Sequence, residues 1–174
     1  QLAGVPPSHI LGPAMHMTKE EIAALFAQKL GVDAPPDPRR LTDIARAQLR
    51  KVFLRAEMGV TGANFIVAET GTIVLVTNEG NGRMCTTLPD VHVAIAGIDK
   101  IVPDWNSLAT LLPMLVRNAT GQKLSCCTSF ITGARRSDGQ GPREFHLVLL
   151  DNGRTRILRD PVARETLLCI RCAA

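Results

Sequence analysis

The apolar positions of the first sixty residues follow the 3.6-residue period of amphipathic helices. A capping box from Thr18 to Glu21 predicts a helix start, because the Thr18 hydroxyl can accept from the Glu21 amide while the Glu21 carboxylate reaches back. One face of that helix carries the apolar residues Ile22, Leu25, Phe26 and Leu30. Gly31 then supplies a left-handed stop.

A second helix is predicted over 42–58, after the proline-rich segment 34–38 and before Gly59, which would end it. Its predicted buried stripe consists of Ala45, Leu49, Val52, Phe53 and Ala56.

Beyond residue 60 the apolar residues form short runs instead, and short β-branched runs are typical of strands. These runs predict strands at 65–68, 72–77, 91–97, 128–132 and 144–150. The run 91–97 is apolar throughout except for His92, which is typical of a strand covered on both faces.

Helical segments separate these strands. One helical turn is predicted at 83–88, and a longer helix is capped by Asp104 and kinked or stopped early by Pro113. Polar loop residues fill 133–142, and Asp160, followed by a proline, opens a last helix. Helices before and between apolar strands indicate an α/β layered domain.

Composition narrows the class of protein. The 174 residues fit one domain, and the net charge of +4 is a mild excess. With no tyrosine and one tryptophan, the chain lacks the aromatic platform of single-stranded nucleic acid binders, and we expect no nucleic acid partner. No apolar run approaches the roughly 20 residues of a transmembrane helix. Five cysteines without a signal peptide favour a reducing cytoplasm over a disulfide framework.

Two polar, glycine-containing connections follow apolar strands within 62–97, and ligands of open α/β sheets bind at strand ends. The first, Glu69-Thr70-Gly71, offers a carboxylate that suits a nucleophile or a base; alternatively, Glu69 satisfies the amides of a turn. The second, Asn78-Glu79-Gly80-Asn81-Gly82, offers amides and polar side chains to a hydroxy acid or another anion, unless it is a plain turn. We expect any ligand site of the chain to lie in 62–97.

Four basic side chains extend these candidates. Arg83 suits bidentate pairing with a carboxylate. His92 is either a hydrogen-bonded core residue or an acid or base facing a ligand beside small neighbours. Arg135 and Arg136 lie in a glycine-flanked loop that either closes over an anionic substrate or is simply solvated.

Cys169 and Cys172 are the candidate metal ligands, because two thiolates separated by two residues can hold one face of an iron–sulfur cluster. A redox pair and two ordinary small residues are the alternatives. Cys85, Cys126 and Cys127 have no such spacing, and we expect them to be buried small apolar residues. Because the chain begins without a methionine and stops two residues after Cys172, we expect a piece of a longer protein.

Four blocks, in this order, resemble the lactate utilisation protein B family, the iron–sulfur subunits of a bacterial L-lactate oxidation system: PPSHILGPAMHMTKEEIAALFAQKLG, GANFIVAETGTIVLVTNEGNGRMCTTLPDVHVAIAG, SFITGARRSDGQGPREFHLVLLDNGRTRIL and CIRC. The resemblance implies a LUD domain with a three-layer α/β/α open sheet, similar to ribose-5-phosphate isomerase, glucosamine-6-phosphate deaminase and the CoA transferases. It also implies a cytoplasmic protein that oxidises L-lactate to pyruvate with two partner subunits.

The resemblance further divides the chain into a LUD domain over 1–168 and the start of a truncated ferredoxin-like region over 169–174. Cys169 and Cys172 would be the first two ligands of a 4Fe-4S cluster in the full-length protein, and the missing ligands mean that no cluster is expected in this fragment. On the same grounds 69–71 and 78–82 would form the rim of one pocket for lactate or pyruvate. Two alternatives are a CoA transferase- or isomerase-like enzyme that uses Glu69, and a non-catalytic subunit-assembly module.

Overall fold

The computed structural model describes residues 2–6, 8, 14–135, 137 and 139–168. The chain divides into two compact units, Gln1–Val52 and Phe53–Ala174.

The first unit contains helix α1 (Lys19–Leu30) and most of helix α2 (Pro38–Arg55). The capping box of α1 is confirmed: the Thr18 amide donates to Glu21 Oε2 at 2.7 Å and the Glu21 amide to Thr18 Oγ1 at 3.2 Å. Gly31 ends the helix in the left-handed conformation, with φ of 65°. The apolar period and its local caps are therefore sufficient to define α1.

Helix α2 departs from the prediction at both ends. It begins at Pro38, because proline suits the first helical position and the Asp37 carboxylate accepts from the Arg40 amide. It ends at Arg55, and the segment around Gly59 becomes a strand instead. The predicted buried stripe is only partly covered: Ala45, Phe53 and Ala56 are half-buried, whereas Leu49 and Val52 are 55% and 65% exposed.

Within the described residues, the second unit is built on seven strands and three α-helices. In chain order they are β1 (Met58–Thr61), β2 (Phe65–Val67), β3 (Thr72–Thr77), α3 (Asn81–Thr87), β4 (Val91–Gly97), β5 (Ile101–Val102), α4 (Trp105–Thr120), β6 (Cys127–Ile131), β7 (Glu144–Leu150) and α5 (Arg154–Arg159). A 3-10 segment, Ala163–Leu168, follows. The α/β class is confirmed.

The strands divide between two sheets. Sheet A has the order β1-β4-β7 and is parallel throughout, so the carboxyl ends of its strands meet at one edge. Sheet B has the order β5-β2-β3-β6 and is mixed, with β3 antiparallel to both neighbours.

Sheet B lies between sheet A and helix α4. Alternation along its strands sends Ile66 and Ile73 toward sheet A, where they pack with Ala94 and Ala96. The opposite face of sheet B packs against α4 through Phe65, Val67, Val74, Leu108 and Leu115.

Three further expectations are corrected: the cover of β4, the early stop at Pro113 and the last helix. Strand β4 is covered on one face only within the described residues, since Ile95 on its other face is 39% exposed. Helix α4, capped by Asp104, continues past Pro113 to Thr120, so Pro113 does not stop it early. The last predicted helix is replaced by α5 and the 3-10 segment, although Asp160 does accept from the Val162 and Ala163 amides. Within the described residues, no helix is both long enough and apolar enough to cross a bilayer.

We predict that Gly59→Ala destabilises the protein, because a Cβ at this position of β1 would lie 1.9 Å from the Cys85 carbonyl oxygen of α3. That contact is with backbone, and overpacking of this kind costs about 1–3 kcal/mol. Urea unfolding measures the loss. Gly133→Ala is the matched control, since its Cβ meets open space. Equal stability of the two variants would show that β1 and α3 are not in this close contact.

Candidate functional site

The Glu69-Thr70-Gly71 connection is the tight turn of the β2–β3 hairpin. The Gly71 amide donates to the Val67 carbonyl at 2.8 Å, and Gly71 has φ of 68°. The Glu69 amide donates to the Pro103 carbonyl at 3.1 Å, while its side chain lies in solvent. Backbone carbonyls, rather than the Glu69 carboxylate, therefore satisfy these turn amides.

A chain of hydroxyl groups adjoins this turn. Thr70 Oγ1 lies 2.8 Å from Thr72 Oγ1, which in turn lies 3.0 Å from Thr132 Oγ1. Thr132 leads into the polar loop, which is closed by a hydrogen bond from the Arg135 amide to the Pro142 carbonyl. The Arg135 side chain is exposed, and Arg136 lies outside the described residues.

The Asn78–Gly82 connection lies at the other end of β3. Because β3 has six residues, it separates the two connections by about 20 Å. The expectation that Glu69–Gly71 and Asn78–Gly82 form the rim of one pocket is therefore wrong.

The polar side chains after β3 serve the local fold. Asn78 Oδ1 accepts from the Cys126 amide at 3.1 Å, and Asn81 Oδ1 accepts from the Gly82 amide at 2.7 Å. Glu79, Gly80 and Arg83 are exposed, and the Arg83 carbonyl accepts from the hydroxyl groups of α3 threonines. This connection and the start of α3 thus present an exposed polar surface.

His92 is a core residue of sheet A. Its side chain is fully buried, its Nε2 lies 2.8 Å from Thr61 Oγ1, and its ring packs on Phe145 at 5.3 Å between centroids. Nδ1 has no hydrogen-bond partner among the described residues. Burial lowers the pKa of His92 because the charged imidazolium loses its hydration. Of the two interpretations of His92, the structure supports the neutral core histidine.

A cluster that the sequence did not suggest lies at the carboxyl edge of sheet A. Arg154 Nε donates to Asp99 Oδ1, and Lys100 Nζ lies 4.0 Å from Asp99 Oδ2. Asp99 follows β4 and Arg154 follows β7, two strands paired in register up to Gly97 and Leu150. All three charged side chains are at least four-fifths buried.

Glycine at position 97 makes this arrangement possible. A Cβ there would lie 2.1 Å from Asp99 Oδ1 and 2.8 Å from Arg154 Nε. The chemical signal was present in the sequence as a glycine, an acid and a base after an apolar run, but nothing local links them to Arg154, 55 residues from Asp99.

The described residues contain no grouping of three or more His, Cys, Asp or Glu side chains that could hold a metal ion. Cys85 and Cys127 are half-buried, whereas Cys126 is exposed, so the expected burial of Cys126 is wrong. Cys169 and Cys172 lie outside the described residues.

We predict that His92 makes the stability of the fold depend on pH. Its pKa lies below the ordinary 6.5 in the folded state, so the unfolded chain takes up the proton first as pH falls. The free energy of unfolding should therefore decrease as pH is lowered from about 7.5 to about 5.5, by at most about 1.4 kcal/mol per pH unit.

Chemical unfolding at several pH values checks this, with His92→Gln expected to flatten the dependence. The carboxyl groups whose pKa is lowered do not contribute here, because their ordinary values of 3.8 and 4.5 lie below the window. An unchanged slope in His92→Gln would contradict the assignment.

Three comparisons with known proteins complete the description of the chain. The family described as LUD domain matches residues 5–150. "Lactate utilization protein B" of Shouchella clausii is 51% identical over 170 residues, which is 97% of this chain and 36% of that protein. The "Uncharacterized electron transport protein YkgF" of Escherichia coli is 45% identical over 175 residues, which is 100% of this chain and 37% of that protein.

Among solved structures, a DUF162 family protein from Deinococcus radiodurans is similar over 56% of this chain and 55% of its own, with 25% identity and a TM-score of 0.43. That score is too low to support an argument. The chain spans little more than a third of the length of the curated relatives it matches.

Proposed function

The chain belongs to the LUD domain family, and we propose from this premise that it is the LUD domain of a protein that takes part in the oxidation of L-lactate to pyruvate. The observation that carries the proposal is the 51% identity to a lactate utilization protein B across 97% of the chain. The aligned span of 170 residues covers most of the chain and therefore includes parts of both compact units.

The oxidation of L-lactate to pyruvate releases two electrons and two protons, so the system that performs it needs both a place for a small organic anion and a route for electrons. We assign the anion to the LUD domain and the electron route to 4Fe-4S clusters. Two partner subunits in the cytoplasm complete the proposed system.

Cys169 and Cys172 are the proposed first two cluster ligands. The described residues supply no alternative set, because Cys85, Cys126 and Cys127 are not gathered with other ligating side chains there. What supports the assignment is the chemistry of two thiolates separated by two residues. A bound 4Fe-4S cluster would supply one-electron transfer.

Glu69 is not assigned a catalytic role in this proposal. A nucleophilic carboxylate works best in a site that excludes water, whereas Glu69 occupies the exposed tip of a hairpin. A small-anion site is better supported where charged side chains are buried and fixed, which is the edge of sheet A.

Removal of the intact protein from its host tests the role in lactate use. We expect growth on L-lactate as the sole carbon source to be lost and growth on glucose to be unaffected. Reintroducing the gene should restore growth on L-lactate. Undiminished growth on L-lactate in the deletion strain, with no second copy in the genome, would contradict the proposed function.

We predict that Cys169→Ser lowers the iron content of the intact protein prepared without oxygen, because one thiolate ligand of the cluster is lost. Iron analysis and the charge-transfer absorbance of the cluster measure the change. Cys126→Ser is the matched control, since Cys126 is an exposed free thiol. Unchanged iron in Cys169→Ser would refute its assignment as a ligand.

A further inference from the structure

The carboxyl edge of sheet A is the place in this fold where a ligand is expected on geometric grounds. Ligands of open parallel sheets bind outside the carboxyl ends of the strands, because the loops that leave those ends can vary without disturbing the sheet. Within the described residues, sheet A is the parallel sheet, and the chain leaving β4 and β7 carries Asp99 and Arg154 over that edge.

Stability alone does not account for these charges. The side chains of Asp99, Lys100 and Arg154 are only 5%, 13% and 14% exposed. Removing ions from water costs several kcal/mol for each, and apolar side chains of similar volume often stabilise a fold as well or better. A buried ionic cluster at a strand edge is therefore better explained by binding than by folding.

The backbone holds Arg154 in one position. Asn152 and Gly153 both have positive φ, 42° and 81°, and turn the chain sharply after β7. Asp151 Oδ1 accepts from the Thr155 amide, and the Asp151 carbonyl accepts from Arg154 Nη1 at 3.2 Å. With Nε fixed by Asp99, the guanidinium plane is oriented before any ligand arrives.

The Arg154 guanidinium has more N–H donors than the described residues accept. An arginine carries five N–H groups, and those of Arg154 engage Asp99 through Nε and the Asp151 carbonyl through Nη1. Nη2 makes no hydrogen bond to the described residues, and the Arg154 side chain is 14% exposed to solvent. A planar guanidinium with unpaired N–H donors on one edge suits a carboxylate, because the carboxylate can accept two parallel hydrogen bonds from it.

We propose that Arg154, oriented by Asp99 and accompanied by Lys100, binds the carboxylate of a small organic acid at the carboxyl edge of sheet A. Asp99 is a positioning residue, and Arg154 contacts the ligand. The choice of a small organic acid rests on the proposed function, whereas the location of the site rests on the geometry of the cluster.

Calorimetric titration of the intact protein with pyruvate, L-lactate and inorganic phosphate tests this site. We expect pyruvate or L-lactate to bind to the wild-type protein. Arg154→Lys should weaken that binding at least about tenfold, because lysine keeps the positive charge but cannot donate the two parallel hydrogen bonds of a guanidinium. Arg156→Lys is the matched control, since Arg156 is an exposed residue of the same helix, α5. Phosphate should bind more weakly than either acid.

A second readout does not depend on whether the variant folds. Phenylglyoxal modifies accessible arginine side chains, and mass spectrometry of the wild-type protein should show that pyruvate protects Arg154 but not Arg156. Undiminished binding in a folded Arg154→Lys variant, or equal modification of Arg154 with and without pyruvate, would overturn the site. Stronger binding of phosphate would overturn the carboxylate assignment.

These outcomes are separable from failure of the proposed function. A deletion strain that cannot grow on L-lactate, together with an intact protein that binds neither acid, would refute this site and leave the role in lactate use standing. If carboxylate binding depends on Arg154 but the protein is dispensable for growth on L-lactate, the site would stand and the role in lactate use would be refuted.

Discussion

The close stacking of sheet A on sheet B is the constraint on which the rest of the second unit depends. Stacked sheets lie about 10 Å apart, so the residues between them must fill that gap without voids. Ile66 and Ile73 from sheet B meet the small Ala94 and Ala96 of β4, all of them at least nine-tenths buried. The small side chains on β4, the central strand of sheet A, leave room for the branched ones opposite.

This packing confines the polar groups of β4 to its ends. His92 lies near the start of the strand and Asp99 just beyond its end, with the two alanines between them. His92 is compatible with burial because it is neutral and bonded to Thr61. Asp99 is paired with Arg154 and Lys100, and this pairing offsets part of the cost of burying a carboxylate. The two ends of one strand therefore differ in chemistry: one belongs to the core and the other is suited to an anion.

Local signals in the sequence were sufficient for much of the fold. The capping box of α1, the Asp104 cap of α4 and the short β-branched runs predicted real elements because each depends on neighbours a few residues away. The stripe of α2 failed because an apolar period does not say whether a face is covered. The candidate site was harder to predict from the sequence than the fold. Glu69 and Asn78 are nine positions apart in sequence but flank opposite ends of β3. Asp99 and Arg154, by contrast, are 55 positions apart and form an ion pair. The pairing of strands determines both the separation of Glu69 from Asn78 and the contact between Asp99 and Arg154. No single stretch of sequence shows which strands pair.

The most direct test of the anion site is a crystal structure of the intact protein with pyruvate bound. We expect the pyruvate carboxylate to lie within hydrogen-bond distance of the Arg154 guanidinium, with the Asp99–Arg154 pair intact beneath it. Pyruvate bound at the Glu69 turn or against Asn78 and Arg83, with the edge of sheet A empty at the same concentration, would contradict it.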